Sequence, residues 1–388
     1  MGQHDEYGVV VSAPASTSRV AIIGAGPAGL MAAEVLAEAG QTVTIYERMP
    51  SPARKFLMAG RGGLNVTHSE PLDVFLSRYG DETHVVRQAV TAFPPERLIA
   101  WANGLGAETF VGSSGRVFPK AMKASPLLRA WLRRLDGLGV KLETRARWEG
   151  FDGTPTILAL GGASWPHLGS DAKWVPVLQA AGITVNAFKP ANSRFLVNWS
   201  KVFRDRFAGT PVKNVALTYA GHRVRGEVMI SHEGIEGGAI YALSKGIREQ
   251  PGHPLMIDLR PDLKFEVLNE RLQRPRGKDT QSNYLRKVAG LTPVAISLLR
   301  ETGNAMDAAG IKQVAVPILR PAGIARAISS AGGIAFEELT ENFQLKNVPG
   351  CYAVGEMLDW EAPTGGYLLQ ACFSTAVAAA KDCLKPLT

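Results

Sequence analysis

Cysteine is scarce in this chain. Only Cys351, Cys372 and Cys383 occur among 388 residues, none in C-x-x-C spacing and none beside a His/Cys cluster. That argues against a redox disulfide or a zinc site, and the count suits a reducing, cytoplasmic compartment. Long apolar runs are missing too. No stretch reaches membrane-spanning length, so no membrane partner is expected. Residues 1–18 lack the basic and apolar regions of a secretory leader and read as a flexible tail. No second complete Gly-x-Gly-x-x-Gly with an acidic partner is found, which argues against a separate nicotinamide-binding domain.

What remains is ordinary in bulk and uneven in detail. Hydrophobic residues make up 46% and charged residues 20%, as in a soluble globular protein, and the length allows two or three domains. Net charge is +8, and half of it comes from Arg260 to Lys287, with eight Lys/Arg against four Asp/Glu. Such a patch could meet RNA or an acidic partner. Only Phe265 and Tyr284 interleave with it, so a solvated basic helix face is the better reading and nucleic acid is not the expected partner. Oligomeric state is not legible here.

The strongest local signal is Val20 to Glu47. A β-branched run, Val20-Ala21-Ile22-Ile23, enters Gly24-Ala25-Gly26-Pro27-Ala28-Gly29, then an Ala-rich helical stretch, then Thr42-Val43-Thr44-Ile45-Tyr46-Glu47. This is the βαβ context of the dinucleotide fingerprint, with its acid 23 positions after Gly24. The first glycine makes the tight turn, the second lets backbone approach a pyrophosphate, and the third lets helix and strand pack closely. The helix N-terminus offers unpaired N–H groups to phosphate, and Glu47 can accept from a ribose hydroxyl pair. Candidate cofactor contacts here are Gly24, Gly26, Ala28, Gly29, Glu47 and Arg48.

A glycine-rich loop follows, with Lys55, Arg61, Gly62, Gly63 and Asn65, whose backbone and cations suit an anionic ligand. Asp73 to Leu105 reads as helical, Phe110 to Pro119 as strand and turn, Pro126 to Leu138 as helix and Val140 to Trp148 as strand. A buried strand from Thr156 runs into Gly161-Gly162, with Trp165 just beyond, where a sheet's carboxyl end can admit a cofactor. From Arg194, short β-rich runs at Val212–Tyr219, Arg223–Ser231 and Leu255–Leu259 suggest an inserted β domain. Pro261 to Asp307 reads as helices, and Gln313 to Ala327 as a return through the β insert. Gly355, Glu356, Asp359, Gly365, Gly366, Tyr367 and Leu368 then lead into a last Ala-rich helix, whose N-terminus can stabilise negative charge on a bound ring.

In this order, the fingerprint, Lys55…Gly-Arg-Gly-Gly-Leu-Asn65, Leu160-Gly161-Gly162-Ala163-Ser164-Trp165-Pro166, Ser231-His232-Glu233-Gly234, Ala331-Gly332-Gly333 and Gly355-Glu356…Asp359…Gly365-Gly366-Tyr367…Gln370 resemble the YhiN/BaiN-like flavoproteins. These are NAD(P)/FAD-dependent oxidoreductases, and the likeness runs from about Arg19 to the C-terminus. It implies an α/β fold: a glutathione-reductase-class FAD-binding Rossmann-like domain interrupted by a β-barrel insert and a small helical insert. The expected division is 19–193 with 328–388, 194–259 with 313–327, and 260–312.

The resemblance also implies FAD on Gly24, Gly26, Gly29 and Glu47, with Gly355 and Glu356 near pyrophosphate and ribitol. Gly366, Tyr367 and Leu368 would set the last helix's N-terminus by the flavin, and the Gly60 to Asn65 loop would lie beside the ring. The implied activity is transfer of hydride or electrons through flavin N5 to or from a small organic substrate, with NAD(P)H as a transient reductant. The catalytic candidates are His232, Asn65 and Trp165, with Tyr367 also facing the ring. His232 is the first choice as proton donor because histidine titrates near neutrality, against a purely structural role. A flavin-binding sensor without turnover and an RNA-linked flavoenzyme are the competing readings.

Three departures stand out. Many relatives have Arg-Cys-Asn where this chain has Gly63-Leu64-Asn65, so no cysteine acts there. Many have Ser-Gly-Pro where it has Ile235-Glu236-Gly237-Gly238. Only Glu149-Gly150-Phe151-Asp152-Gly153-Thr154-Pro155 separates the two strands flanking the customary three-stranded meander, which is too little chain to build one.

Overall fold

The computed structural model describes residues 19–80 and 83–385. The expected tail at 1–18 lies outside them. The β-branched run after the tail forms the strand Arg19–Ile23 at the centre of a five-stranded parallel sheet. Thr42–Glu47 and Lys141–Thr144 extend the sheet on one side, and Thr156–Leu158 and Cys351–Ala353 on the other. Strands covered on both faces need apolar residues on both, and Val20, Ile22, Val43, Ile45, Ile157 and Leu158 are all buried.

Small side chains bring the two principal helices together. The helix Pro27–Glu38 packs against the final helix Tyr367–Cys383, and the buried residues include Ala28, Ala32, Ala33, Ala371, Ala376 and Ala380. Pro27 occupies the first helical turn, where a missing N–H costs nothing. One charge is buried in this layer. Glu34 accepts from the indole N–H groups of Trp101 and Trp131 and from Arg134 at 2.7 Å, so the carboxylate is fully partnered.

The expected strand Val140–Trp148 is shorter in the structure. Pairing stops at Glu47 opposite Thr144, and Arg145 then takes a left-handed φ of 59°, which breaks the extended run. Residues 145–155 contain no strand.

A second hydrophobic cluster lies between Phe195 and Val316. Its sheet has seven antiparallel strands in the order Val314–Val316, Leu255–Asp258, Pro211–Tyr219, His222–Ser231, Gly234–Glu236, Phe195–Leu196, Arg320–Pro321. The long hairpin turns through Ala220 and Gly221, both at positive φ, as a two-residue connection requires. Four helices, Phe265–Leu272, Gln281–Ala289, Pro293–Glu301 and Ala308–Lys312, contribute to this core. The last three open on Thr280, Thr292 and Asp307, whose side chains each accept a backbone N–H of the first turn. The antiparallel pair Val185–Ala191 and Ser329–Ile334 carries the chain out to this second cluster and back.

Candidate functional site

At the carboxyl end of the parallel sheet lies a cleft of about 490 Å³. Its floor follows from the fingerprint. Gly24 has φ +102°, and a Cβ there would lie 2.4 Å from the Ala159 carbonyl oxygen. A Cβ on Gly29 would lie 1.9 Å from the Gly24 carbonyl oxygen, so Gly29 serves packing beneath the cleft and does not line it. Gly26 faces open space, with no atom within 4 Å of its virtual Cβ. A side chain at Gly26 would therefore grow into the cleft itself.

Glu47 closes the strand end onto this loop. Its Oε2 accepts the Ala25 N–H at 2.9 Å and its Oε1 accepts the Met49 N–H at 2.7 Å. Each carboxylate oxygen keeps a further lone pair for a ligand hydroxyl. Arg48 pairs with Asp171 at 3.0 Å and reaches the Gly169 carbonyl. Deeper in, Lys55 Nζ donates to both oxygens of Glu356, at 2.7 and 2.5 Å, and to Ser164 Oγ at 2.7 Å. The Ser330 N–H also donates to Glu356. Burial pushes the cleft-lining Cys372 thiol up to about 12, so this cysteine is a neutral wall at physiological pH.

Eight of the expected contacts, Gly24, Gly26, Ala28, Glu47, Arg48, Lys55, Gly161 and Glu356, line the cleft together. The others lie outside its lining. Gly162 and Gly355 pack tightly against Ser330 and Ala28. Arg61 and Gly62 are exposed on a 3-10 turn, and Gly63 packs near Met122. Asn65 Nδ2 donates to the Thr67 and Val117 carbonyls, while its Oδ1 is buried without a partner. Asp359 accepts from Asn186 at 2.7 Å.

Gly365, Gly366, Tyr367 and Leu368 open the final helix. The Tyr367 hydroxyl donates to Glu70 at 2.6 Å and its carbonyl accepts from Tyr79. Burial raises the Tyr367 pKa and hydrogen bonding to the Glu70 carboxylate raises it further, so it stays protonated. Trp165 sits at φ 62°, its ring 5.6 Å from His167.

His232, the first-choice proton donor, is exposed on the turn joining His222–Ser231 to Gly234–Glu236. It does not line the cleft.

Several lining residues escaped the sequence reading: Tyr46, Arg147, Trp148, Glu149, Ser170 and Trp174. The one available signal was position, since Arg147 to Glu149 follow directly on the strand beside Glu47. Ser170 Oγ is buried at the cleft without a partner, as befits a wall built for a polar ligand. No group of His, Cys, Asp and Glu fit to hold a metal occurs among the described residues. Open backbone at Gly26, a carboxylate with spare lone pairs at Glu47 and the unpartnered Ser170 hydroxyl fit an adenine dinucleotide such as FAD.

Comparison with known proteins agrees. Residues 18–382 match the model described as HI0933-like protein Rossmann domain. The chain is 25% identical to the ribosomal RNA dihydrouridine synthase of Escherichia coli (strain K12), over 93% of this chain and 96% of that one. It is 24% identical to the 3-dehydro-bile acid delta(4,6)-reductase of Clostridium scindens, over 94% and 98%. In fold it is similar to the open conformation of a flavocytochrome c3 fumarate reductase, with a TM-score of 0.50 and 16% identity over 97% of this chain and 80% of that one. The chain thus belongs to the HI0933-like family of FAD-dependent oxidoreductases, the family its motifs resemble.

Proposed function

We propose that this protein uses FAD to reduce a carbon–carbon double bond conjugated to a carbonyl in a small organic substrate, with NAD(P)H as transient reductant. The observation that carries the cofactor is the cleft that joins Gly26, Glu47 and Glu356 at the sheet's carboxyl end. The substrate class is suggested by the relative named 3-dehydro-bile acid delta(4,6)-reductase, matched over 94% of this chain. Bound FAD supplies two-electron transfer at its N5 position.

The chain's own residues bind and orient. Gly24, Gly26 and the N-terminus of Pro27–Glu38 would hold the pyrophosphate, and Glu47 the ribose. The Lys55–Glu356 ion pair in the cleft would meet the pyrophosphate and ribitol. The N-terminus of Tyr367–Cys383 would favour negative charge on the ring, with Asn65 and Trp165, which do not line the cleft, as its candidate neighbours. We assign residues 19–193 and 328–388 to the FAD-binding part, 194–259 and 313–327 to a β-rich insert, and 260–312 to a helical insert. The separate hydrophobic cluster between Phe195 and Val316 supports setting both inserts apart from the FAD-binding part; it draws on both of them.

The test is the visible spectrum of the purified protein before and after anaerobic addition of NADH or NADPH. Flavin bands that bleach with nicotinamide, and return on adding a conjugated enone, support the proposal. Bands that persist would remove the nicotinamide, and no flavin bands after incubation with FAD would overturn the reading.

A second reading places the double bond in an RNA base. One observation favours it: Arg274, Arg276, Lys278 and Arg286 are exposed and form no ion pair among the described residues. Salt-sensitive retention of RNA would support this reading, and no retention at low salt would sink it.

A further inference from the structure

The connector 145–155 does more than bridge two strands. Parallel pairing along the acid-bearing strand ends with Glu47 opposite Thr144, and the chain turns at Arg145 through a left-handed φ of 59°. The Arg145 N–H then donates to the Met49 carbonyl at 3.3 Å, and the Ala146 N–H to the Glu47 carbonyl at 3.0 Å. These two bonds fasten the start of the connector to the end of the strand that carries Glu47. The next three residues, Arg147, Trp148 and Glu149, line the cleft.

Trp148 is the informative one. It is half-buried in a short loop, and its one ring neighbour among the described residues is Phe151, edge to face at 5.3 Å and 82°. The other cleft-lining tryptophan, Trp174, has its indole N–H committed to the Gly161 carbonyl at 3.0 Å and its ring against Phe188, which fixes it as a structural wall. Trp148 is half-packed against the main core and lines the same cleft as Glu47, and its indole makes no hydrogen bond among the described residues. In a dinucleotide, the group beyond the ribose is the base, and a purine has two π-faces and little else to offer an apolar wall.

We propose that Trp148 stacks on the adenine of the bound dinucleotide, so that the short connector serves as the adenine-recognising wall. The proposal rests on the FAD reading of the cleft. It assigns the loop a ligand, the adenosine half of FAD, and makes Trp148 a determinant of FAD over FMN. The alternative is that Trp148 merely anchors the connector on Phe151.

Calorimetric titration of apoprotein prepared from the purified flavoprotein separates the two, using FAD, ADP and FMN as probes. Trp148→Ala is expected to weaken FAD and ADP together by about tenfold or more, as loss of one base–aromatic stack predicts. FMN, which lacks adenine, is expected to bind parent and variant alike. Trp148→Phe, which keeps a flat ring, is expected to stay within about threefold of the parent for all three. Unchanged ADP and FAD affinity in Trp148→Ala would overturn the proposal, as would equal weakening of FMN. Should Trp148→Ala fail to fold, the fluorescence of Trp148→Phe decides. ADP is expected to quench tryptophan emission in the parent, and most of that quench should vanish in the variant. An undiminished quench would overturn the proposal. A parent that binds neither FAD nor ADP would instead defeat the FAD reading itself.

Discussion

The cleft and the start of the final helix are built by different means. At the nucleotide end, backbone and one carboxylate do the work, and they come from neighbouring stretches of chain: the Gly24–Gly29 loop, the Glu47 strand end and the connector fastened to it. At the start of the final helix, outside the cleft's lining, side chains from distant segments satisfy each other. The Tyr367 hydroxyl reaches Glu70, and Gln370 joins Thr67 to the Phe93 carbonyl. The first kind of site follows from a local strand–turn–helix unit. The second exists only once the final helix has docked near Thr67. A glycine-lined cleft can be filled by an added side chain without unseating the fold, whereas a tightly packed helix start loses stability when its packing is disturbed.

Substitutions can test that contrast. The largest effect is expected from Gly26→Val, whose branched side chain would fill the open space above the fingerprint. FAD affinity should fall at least about 100-fold and the protein should purify colourless, without a matching loss of thermal stability. Retained yellow holoprotein would break the comparison at its firmest point.

Gly366→Ala acts at the start of the final helix. Its φ is +94°, and a Cβ there would lie 2.6–2.8 Å from the Thr67 backbone. Overpacking and left-handed strain together should cost about 2–4 kcal/mol, read as a lowered melting temperature in apoprotein as well as holoprotein. A variant with the parent's melting temperature would show that the final helix is not tightly seated there.

Lys55→Met probes the ion pair in the cleft. Glu356 would keep the Ser330 N–H and lose its ion-pair partner, so apoprotein should lose about 1–3 kcal/mol, less than for a fully buried pair because Lys55 is 24% exposed. Denaturant melts of apoprotein check this, and no change would mean that water already screens the pair.

A pH effect of smaller size is expected from Glu70. The Arg78 hydrogen bond, helped by Tyr367 and opposed by partial burial, holds its carboxyl below the usual 4.5. A depressed folded value means stability that is complete above 4.5 and lost as pH falls through the lower folded value. Melting temperature followed against pH should therefore fall more steeply below 4.5 in the parent than in Glu70→Gln. Parallel curves would remove Glu70 from that account.

The smallest effect is expected from His232→Ala. With its ring exposed on a hairpin turn outside the cleft, turnover should stay within about twofold. A larger loss would bring the turn into the chemistry and restore histidine as the proton donor.

Legibility followed the same division. The strand Arg19–Ile23, the helix Pro27–Glu38 and Glu47 were readable because apolar periodicity and glycine spacing act over a few residues. Lys55 and Glu356 were each readable as site residues, but not as partners, because 301 positions separate them. Trp148 was missed because it looked like the tail of a strand, and the strand's end was set by where pairing with Glu47 stopped. The exposure of His232 outside the cleft was not legible, because a histidine near glycines looks the same in sequence whether its turn faces a cleft or solvent.

From the sequence alone came the βαβ unit, a consequence of local backbone geometry; the candidate cofactor and the shortness of the connector came from the family resemblance. Only the tertiary structure decided which glycines face the cleft, how Lys55 meets Glu356 and Ser164, and that Trp148 and Glu47 line one cleft. Those outcomes depend on how distant segments pack, and packing is set by the whole core at once.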